Sequence, residues 1–224
     1  MAMIKIKNLT KRYGEKVVYD NFSIDIEKNK TLVILGESGS GKTTLLNVLA
    51  KLTDYEGQIE GLDDSVAMVF QKDYLVPNLT VEQNLKLVCK DKDVLTVLKA
   101  VEMEDCAKQY PKSLSAGMSR RIAIVRALLY NSNLIVMDEP TNSLDVGLKN
   151  KIYTILKKLK KETEKTIIVV THDIDEALSL ADRVIVVKGG GVEYEYSFKS
   201  SIYDRDITGE ECNLVRKELL DRLL

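Results

Sequence analysis

The fold is decided by the stretch Gly36-Glu37-Ser38-Gly39-Ser40-Gly41-Lys42-Thr43, which has the form G-x-x-x-x-G-K-[ST]. A short apolar run of strand type, residues 31–35, precedes it, and an amphipathic helix pattern, residues 44–50, follows it. A strand, a glycine loop and a helix start form the context in which this motif holds phosphate. The order therefore predicts a P-loop rather than a glycine-rich turn that matches by chance.

The residue types of this loop suit a phosphate group. Glycines allow a tight backbone turn whose N–H groups point inward at a helix N-terminus. Lys42 adds a positive charge for the β- and γ-phosphates of a nucleotide, and the Thr43 hydroxyl is a ligand for Mg²⁺. The predicted nucleotide-binding residues of this segment are Gly36, Ser38, Gly39, Ser40, Gly41, Lys42, Thr43 and Thr44.

Composition narrows the function classes. The chain has 224 residues with a formal net charge of −1, so no basic field favours nucleic acid as a partner. Three widely spaced cysteines and a single histidine exclude most zinc arrangements and predict thiols in a reducing cytosol. The chain opens on a strand pattern rather than a signal peptide, and no apolar stretch is long enough to span a bilayer. We therefore expect membrane contact only through a partner.

Apolar runs predict an α/β fold with a parallel central sheet. Runs that are apolar on both strand faces alternate with helical pattern, which is typical of buried parallel strands. They are residues 32–35, 134–137, 167–170 and 184–187. Residues 3–7 and 17–27 alternate apolar and polar side chains and predict an N-terminal antiparallel β subdomain.

Helix patterns dominate the middle of the chain. We predict one domain over residues 1–224, in which a helical lobe at 72–130 is inserted into a catalytic core formed by 1–71 and 131–224. Residues 192–198 predict an edge hairpin strand after a tight turn at 189–191, and the stripe Cys212, Val215, Leu219 and Leu223 predicts a terminal helix.

Two further motifs carry chemistry. The run Leu134 to Glu139 is a strand that ends in two carboxylates: Asp138 can hold the Mg²⁺ shell, and Glu139 can orient or deprotonate water. On its own, a pair of carboxylates at the end of a strand is more often only solvated than catalytic. Its occurrence together with a P-loop makes the catalytic role the favoured interpretation. Ser115 opens a helix as an N-cap and anion site at once, although an ordinary N-cap is the simpler explanation on its own.

With these motifs in order, the sequence resembles the ATP-binding subunits of ABC transporters over nearly its whole length, closest in appearance to the nitrate, sulfonate and hydroxymethylpyrimidine importer group. The P-loop corresponds to Walker A, residues 134–139 to Walker B, and residues 114–118 to the LSGGQ signature. Gln71 matches the Q-loop, Asn142-Ser143-Leu144-Asp145 the D-loop, and His172, the only histidine, the switch position. Tyr13 stands where the family stacks an aromatic ring on adenine, with Val18 beside it.

The resemblance implies the P-loop NTPase fold and an ATPase that uses ATP and Mg²⁺. It assigns catalytic roles to Glu139, His172, Lys42 and Gln71, and metal binding to Thr43, Gln71 and Asp138. Ser115, Gly117 and Asp145 would contact ATP at the interface with a second copy of the chain, in a dimer that closes around two nucleotides. The resemblance also implies a transmembrane permease as a partner, and it implies no binding of nucleic acid. The chain would then be a peripheral protein at the cytoplasmic face of the membrane.

Some features depart from the pattern or leave alternatives open. Ala116 replaces the usual second glycine of the signature and Met118 its glutamine. A non-transport ABC ATPase of the iron–sulfur assembly type and an ATP-dependent scaffold are the alternatives to a solute importer. We expect Leu75 and Val76 to be exposed and to meet a helix of the permease, the alternative being that both pack inside the lobe.

Overall fold

A six-stranded, mostly parallel sheet forms the centre of the molecule. The computed structural model describes residues 2–89, 93–142 and 144–223. Its strands are β1 Met3–Tyr13, β2 Lys16–Glu27, β3 Thr31–Leu35, β4 Glu56–Glu60, β5 Val66–Val69, β6 Leu134–Asp138, β7 Thr166–Val170, β8 Arg183–Lys188 and β9 Gly191–Ser197. The central order is β5-β6-β7-β3-β8-β9, in which only β9 is antiparallel to its neighbour. The four predicted buried strands are therefore confirmed, and so is the edge hairpin.

A second, antiparallel sheet has the order β2-β1-β4, which confirms the N-terminal β subdomain. Strands β4 and β5 did not stand out in the sequence. Only Ile59 interrupts the polar character of β4, and β5 has four residues, too few for a clear periodic pattern.

Helices cover both faces of the central sheet. Their bounds are α1 Lys42–Leu49, α2 Val81–Lys86, α3 Val94–Ala100, α4 Ala116–Leu129, α5 Val146–Thr163, α6 Ile174–Leu180 and α7 Glu210–Leu223. One face packs against α1 and the antiparallel sheet, and the other packs against α4, α5, α6 and α7. This sandwich places the carboxyl ends of β3, β6 and β7 at one edge, where open α/β sheets bind ligands.

The helical lobe has a core of its own. Thr80 and Gln83 form a capping box at the start of α2, and Asp93 caps α3. The lobe core is built from α2, α3 and one side of α4, through Ile122 and Val125. The opposite side of α4 packs against the central sheet. Helix α4 is thus shared between the lobe and the catalytic core, so the packing draws no sharp boundary between them. The predicted division at residues 72 and 131 stays a prediction.

The expectation for Leu75 and Val76 was half wrong. Leu75 is partly buried, because its side chain packs against the lobe core. Val76 is exposed, and the neighbouring Tyr74 is 62% exposed. The apolar surface of this segment is therefore formed by Tyr74 and Val76.

No helix within residues 2–89, 93–142 and 144–223 combines the length and the apolar character that a membrane crossing requires. Cys89, Cys106 and Cys212 are buried thiols.

Candidate functional site

The P-loop lies between β3 and α1, as its sequence context predicts. Gly41 has φ 101° and directly precedes α1. A Cβ at this position would lie 2.9 Å from both the Tyr19 ring and the Val18 side chain. Only glycine therefore allows the loop to turn into α1 at this distance from β2.

Lys42 lies across the loop. Its Nζ donates to the carbonyl oxygens of Gly36, at 2.7 Å, and Glu37, at 2.8 Å. Burial lowers the pKa of the Lys42 ammonium, and the nearby carboxylates of Glu139 and Asp138 oppose that shift. The positive charge is thus held at the centre of the site. Because it is partly removed from water, a bound anion would stabilise it more than it would stabilise a solvated lysine.

Thr43 and Asp138 meet at the junction of α1 and β6. The Thr43 Oγ1 donates to Asp138 Oδ2 at 2.9 Å, and burial raises the pKa of the Asp138 carboxyl. A hydroxyl and a carboxylate are oxygen ligands of the kind that Mg²⁺ takes, together with water and substrate phosphates. A bound cation would also offset the cost of burying the carboxylate. These two residues fit the predicted magnesium site.

Glu139 directly follows β6 and has φ 46°, an uncommon value for a residue with a side chain. Its N–H donates to the Val170 carbonyl at 2.8 Å. Its carboxylate lies 3.1 Å from His172 Nδ1 and accepts a hydrogen bond of 2.5 Å from Asn142 Nδ2. Strained backbone of this kind clusters at functional sites. The turn therefore directs the Glu139 carboxylate toward His172, whose side chain is 61% exposed.

Most of the predicted site residues line one cleft of about 330 Å³. They are Tyr13, Val18, Ser38, Gly39, Gly41, Lys42, Thr43, Thr44, Asp138 and Glu139. Gly36 lies at the base of the loop, and a Cβ there would be 2.8 Å from the Ser40 hydroxyl, which faces inward. The Tyr13 ring is exposed at the rim, and Lys11 Nζ lies 4.8 Å from its centroid. The stacking of this ring on adenine stays a prediction.

A larger cavity, of about 430 Å³, lies beside the amino end of β3 and contains none of the predicted site residues. Its buried cation, Lys160, already contacts Asp182 at 2.6 Å and Thr31 at 2.8 Å. We therefore assign the nucleotide site to the smaller cleft, where the polar groups converge on the P-loop.

The remaining predicted residues lie outside the cleft. Ser115 caps α4 by accepting from Met118 N at 3.3 Å, and Asp145 caps α5 by accepting from Leu148 N at 3.0 Å. Gly117 is buried, and a Cβ there would meet Leu148 Cδ2 at 2.1 Å. A side chain at this position would therefore require the Leu148 side chain to move.

Gln71 is exposed and lines a separate small cavity next to Ala116 and Asn142. Ser143 of the predicted D-loop lies outside the described residues.

Two buried residues were missed by the sequence reasoning. Arg120 donates to backbone carbonyls of three residues around the site. Glu176 is fully buried on α6 and accepts from Thr141 Oγ1 at 2.9 Å. No signal in the sequence separates Arg120 from the adjacent Arg121. The only feature of the sequence that indicates burial of Glu176 is the pair of apolar residues that follows it, Ala177 and Leu178.

Glu176 makes stability depend on pH. Burial raises its pKa from 4.5 to about 7, so between these values the unfolded chain ionises while the folded chain stays protonated. The contribution of the protonated Glu176 side chain to the free energy of unfolding is then fully present below pH 4.5. It is lost as the pH rises through about 7, by roughly 3 kcal/mol in total. We expect Glu176→Gln to remove this loss, as measured by urea unfolding between pH 4.5 and 7.5. The exposed Glu162→Gln is the control, and a Glu176→Gln profile parallel to the wild type would contradict the expectation.

Comparison with known proteins agrees with this geometry. A family model described as "ABC transporter" matches residues 19–142. The chain is 36% identical to an aliphatic sulfonates import ATP-binding protein, SsuB 1, of Paracoccus denitrificans, over 86% of this chain and 82% of the relative. It is 34% identical to an Fe(3+) ions import ATP-binding protein, FbpC, of Fusobacterium nucleatum, over 85% of this chain, and it spans only 57% of that relative's length.

Solved structures show the same architecture. The dimeric structure of MJ0796, a bacterial ABC transporter cassette, matches with a TM-score of 0.78 and 35% identity, covering 89% of this chain and 100% of the other. A second structure of that cassette, in a post-hydrolysis state bound to ADP and Pi, matches with a TM-score of 0.76. The predicted fold class and the ATPase class are thereby confirmed, and the chain belongs to the ABC transporter family.

Proposed function

We propose that this chain is the energy-coupling ATPase of a solute importer, working as a dimer beneath a transmembrane permease. The observation that carries the proposal is the cleft in which Lys42 lies beside the Thr43–Asp138 pair and Glu139. His172 lies 3.1 Å from the Glu139 carboxylate. The names of the relatives, which are import ATP-binding proteins, support the importer direction.

The residues of the cleft divide the work of hydrolysis. The P-loop N–H groups and Lys42 bind the phosphates of ATP, and Tyr13 stacks on the adenine. Mg²⁺, held through Thr43 and Asp138, would neutralise charge on the β- and γ-phosphates. Release of Lys42 from the Gly36 and Glu37 carbonyls frees its ammonium for the nucleotide.

Glu139 and His172 handle the attacking water. Glu139 orients the water and accepts its proton on a carboxylate oxygen. His172, 3.1 Å from that carboxylate, hydrogen-bonds the γ-phosphate and keeps the water in line. Asn142 Nδ2 holds the other carboxylate oxygen and so fixes the rotamer of the base.

A second copy completes each site. Ser115 and Ala116 are exposed at the start of α4 and lie away from the chain's own cleft. In a head-to-tail dimer this helix N-terminus would face the γ-phosphate bound by the partner, where its partial positive charge is favourable. The dimeric cassette of the relative supports this arrangement.

The permease would dock on the segment after Gln71, at the cytoplasmic face of the membrane. Tyr74 and Val76 are exposed there, and the Tyr74 ring packs edge-on against Phe70 at 5.2 Å. Exposed aromatic and apolar side chains of this kind suit a groove that receives a helix.

Replacing Tyr74 tests the docking. Tyr74 has φ 42°, which aspartate tolerates better than tyrosine, so we expect Tyr74→Asp to fold. Basal ATPase should stay within about twofold, while ATP-driven uptake falls about tenfold or more, as for loss of an interface anchor.

Uptake is measured in vesicles that contain the chain and the membrane protein that co-purifies with it. Tyr55→Asp, at an exposed tyrosine next to the N-terminal sheet, is the matched control. Unchanged uptake by Tyr74→Asp would place docking elsewhere, and a wild-type chain without Mg²⁺-dependent ATPase would refute the proposed function itself.

A further inference from the structure

Arg120 is a buried arginine that joins three parts of the chain. It belongs to α4, five residues after Ser115, and only 5% of its surface is exposed. Its Nη1 donates to the Phe70 carbonyl at 2.6 Å. Its Nη2 donates to the carbonyls of Gln71 and Glu139, both at 3.0 Å. Asp73 adds an ion pair at 3.2 Å.

The planar guanidinium suits this task. It presents five N–H donors in a rigid fork, so one side chain can hold several carbonyls at fixed angles. A buried guanidinium without such partners would be costly, which means that the carbonyls and the arginine hold one another in place. The segment 70–73 and the turn after β6 are thereby fixed to the same rigid group.

At Glu139 the contact acts on strained backbone. The residue has φ 46°, its N–H is held by Val170, and its carbonyl is held by Arg120. With both backbone groups fixed, the carboxylate is directed to His172. Loss of the carbonyl contact would let the peptide rotate and turn the carboxylate away from the water.

We infer that Arg120 is a positioning residue that sets the orientation of Glu139 and ties it to the segment that faces the permease. The inference rests on the proposed function, in which Glu139 is the base and residues 71–76 meet the permease. A shift of that segment would move the Phe70 and Gln71 carbonyls, and through the guanidinium the carbonyl of Glu139. The base would then be aligned only when the segment is in the correct position.

Arg126 provides a matched control on the same helix. It is partly buried, and it donates to the carbonyls of Asp73 and Tyr74 at 3.4 and 3.1 Å. It thus holds the same segment as Arg120, but its described contacts do not include Glu139. Substitution of either arginine removes a guanidinium that anchors the segment, and only Arg120 reaches the base.

The test compares Arg120→Met with Arg126→Met in the purified full chain. We expect Arg120→Met to lower kcat by about tenfold or more with KM for ATP within about threefold, because a small displacement of a reacting group costs up to about a hundredfold. Arg126→Met should change kcat by less than about threefold, because Arg120 still holds the carbonyls of Phe70, Gln71 and Glu139. Equal losses in both variants, or full activity in Arg120→Met, would overturn the inference.

Two further variants separate positioning from folding. Arg120→Lys keeps the charge but not the fork, so we expect an intermediate kcat, and this variant decides the matter if Arg120→Met does not fold. In a Glu139→Gln background, Arg120→Met should leave ATP-dependent dimerisation intact, because the signature residues 114–118 are unchanged. Loss of that dimerisation would indicate a merely structural role. If the wild type hydrolyses ATP and Arg120→Met matches it, only this inference fails; if the wild type does not, the proposed function fails with it.

Discussion

Glu139→Gln is expected to bind ATP normally and to lose hydrolysis by a factor of about 10²–10⁴, the usual contribution of a general base. The amide has the same size and still accepts from Asn142, so the turn after β6 should keep its shape. It cannot take a proton from water. Because ATP then stays bound between two signature helices, the variant should elute as a dimer with ATP and as a monomer without it.

The measurement is steady-state phosphate release together with size exclusion at saturating Mg·ATP. Glu37→Gln is the matched control, because it makes the same chemical change at an exposed residue of the P-loop whose side chain does not line the cleft. Its turnover should equal that of the wild type. A Glu139→Gln chain that is monomeric with ATP and hydrolyses normally would remove Glu139 from its proposed role.

Lys42→Ala and Ser115→Arg should each abolish turnover alone and restore it when mixed. Lys42 contributes charge-assisted contacts to two phosphates, each worth about 1.5–3 kcal/mol, so its loss costs at least about a hundredfold. Ser115→Arg places a large cation where the partner's γ-phosphate would approach. In a heterodimer one site carries both defects and the other carries neither, so an equal mixture should show about a quarter of wild-type turnover.

A mixture of Lys42→Ala chains with chains that carry both substitutions is the control, since no heterodimer then has an intact P-loop. It should stay inactive. If the first mixture is also inactive although heterodimers are confirmed, the signature does not act across the dimer, or one intact site cannot cycle alone.

The central strands and the P-loop could be predicted because their signals are local. Residues 32–35 and 134–137 are apolar on both faces, and a strand of that kind must be buried by helices on both sides. The loop at residues 36–43 combines glycines and a lysine at the spacing that is typical of phosphate binding. Asp138 was assigned to the metal site from its position at the end of a strand, and it meets Thr43 at 2.9 Å although β7 lies between β6 and the P-loop strand β3.

What escaped prediction depends on tertiary contacts. Arg120 and Arg121 are adjacent and chemically identical, and only the packing of α4 decides which of them turns toward Glu139. Leu75 looked like Val76 in the sequence, but the chain direction after the Q-loop buries one and exposes the other. Gly117 was assigned to nucleotide contact alone, and its closeness to Leu148 could not be seen before α5 was placed.

The two-sided burial of α4 limits how this cassette can be recombined with its relatives. Ile124 and Leu128 pack against the central sheet, and Ile122 and Val125 pack in the lobe core. A chimera that exchanged residues 72–130 would import a helix shaped for a foreign sheet, and overpacking or cavities there are costly. A graft that ends before the signature, over residues 72–113, would replace the permease-facing surface and keep α4 matched to the central sheet, so that only the Ile122 and Val125 side would meet foreign residues.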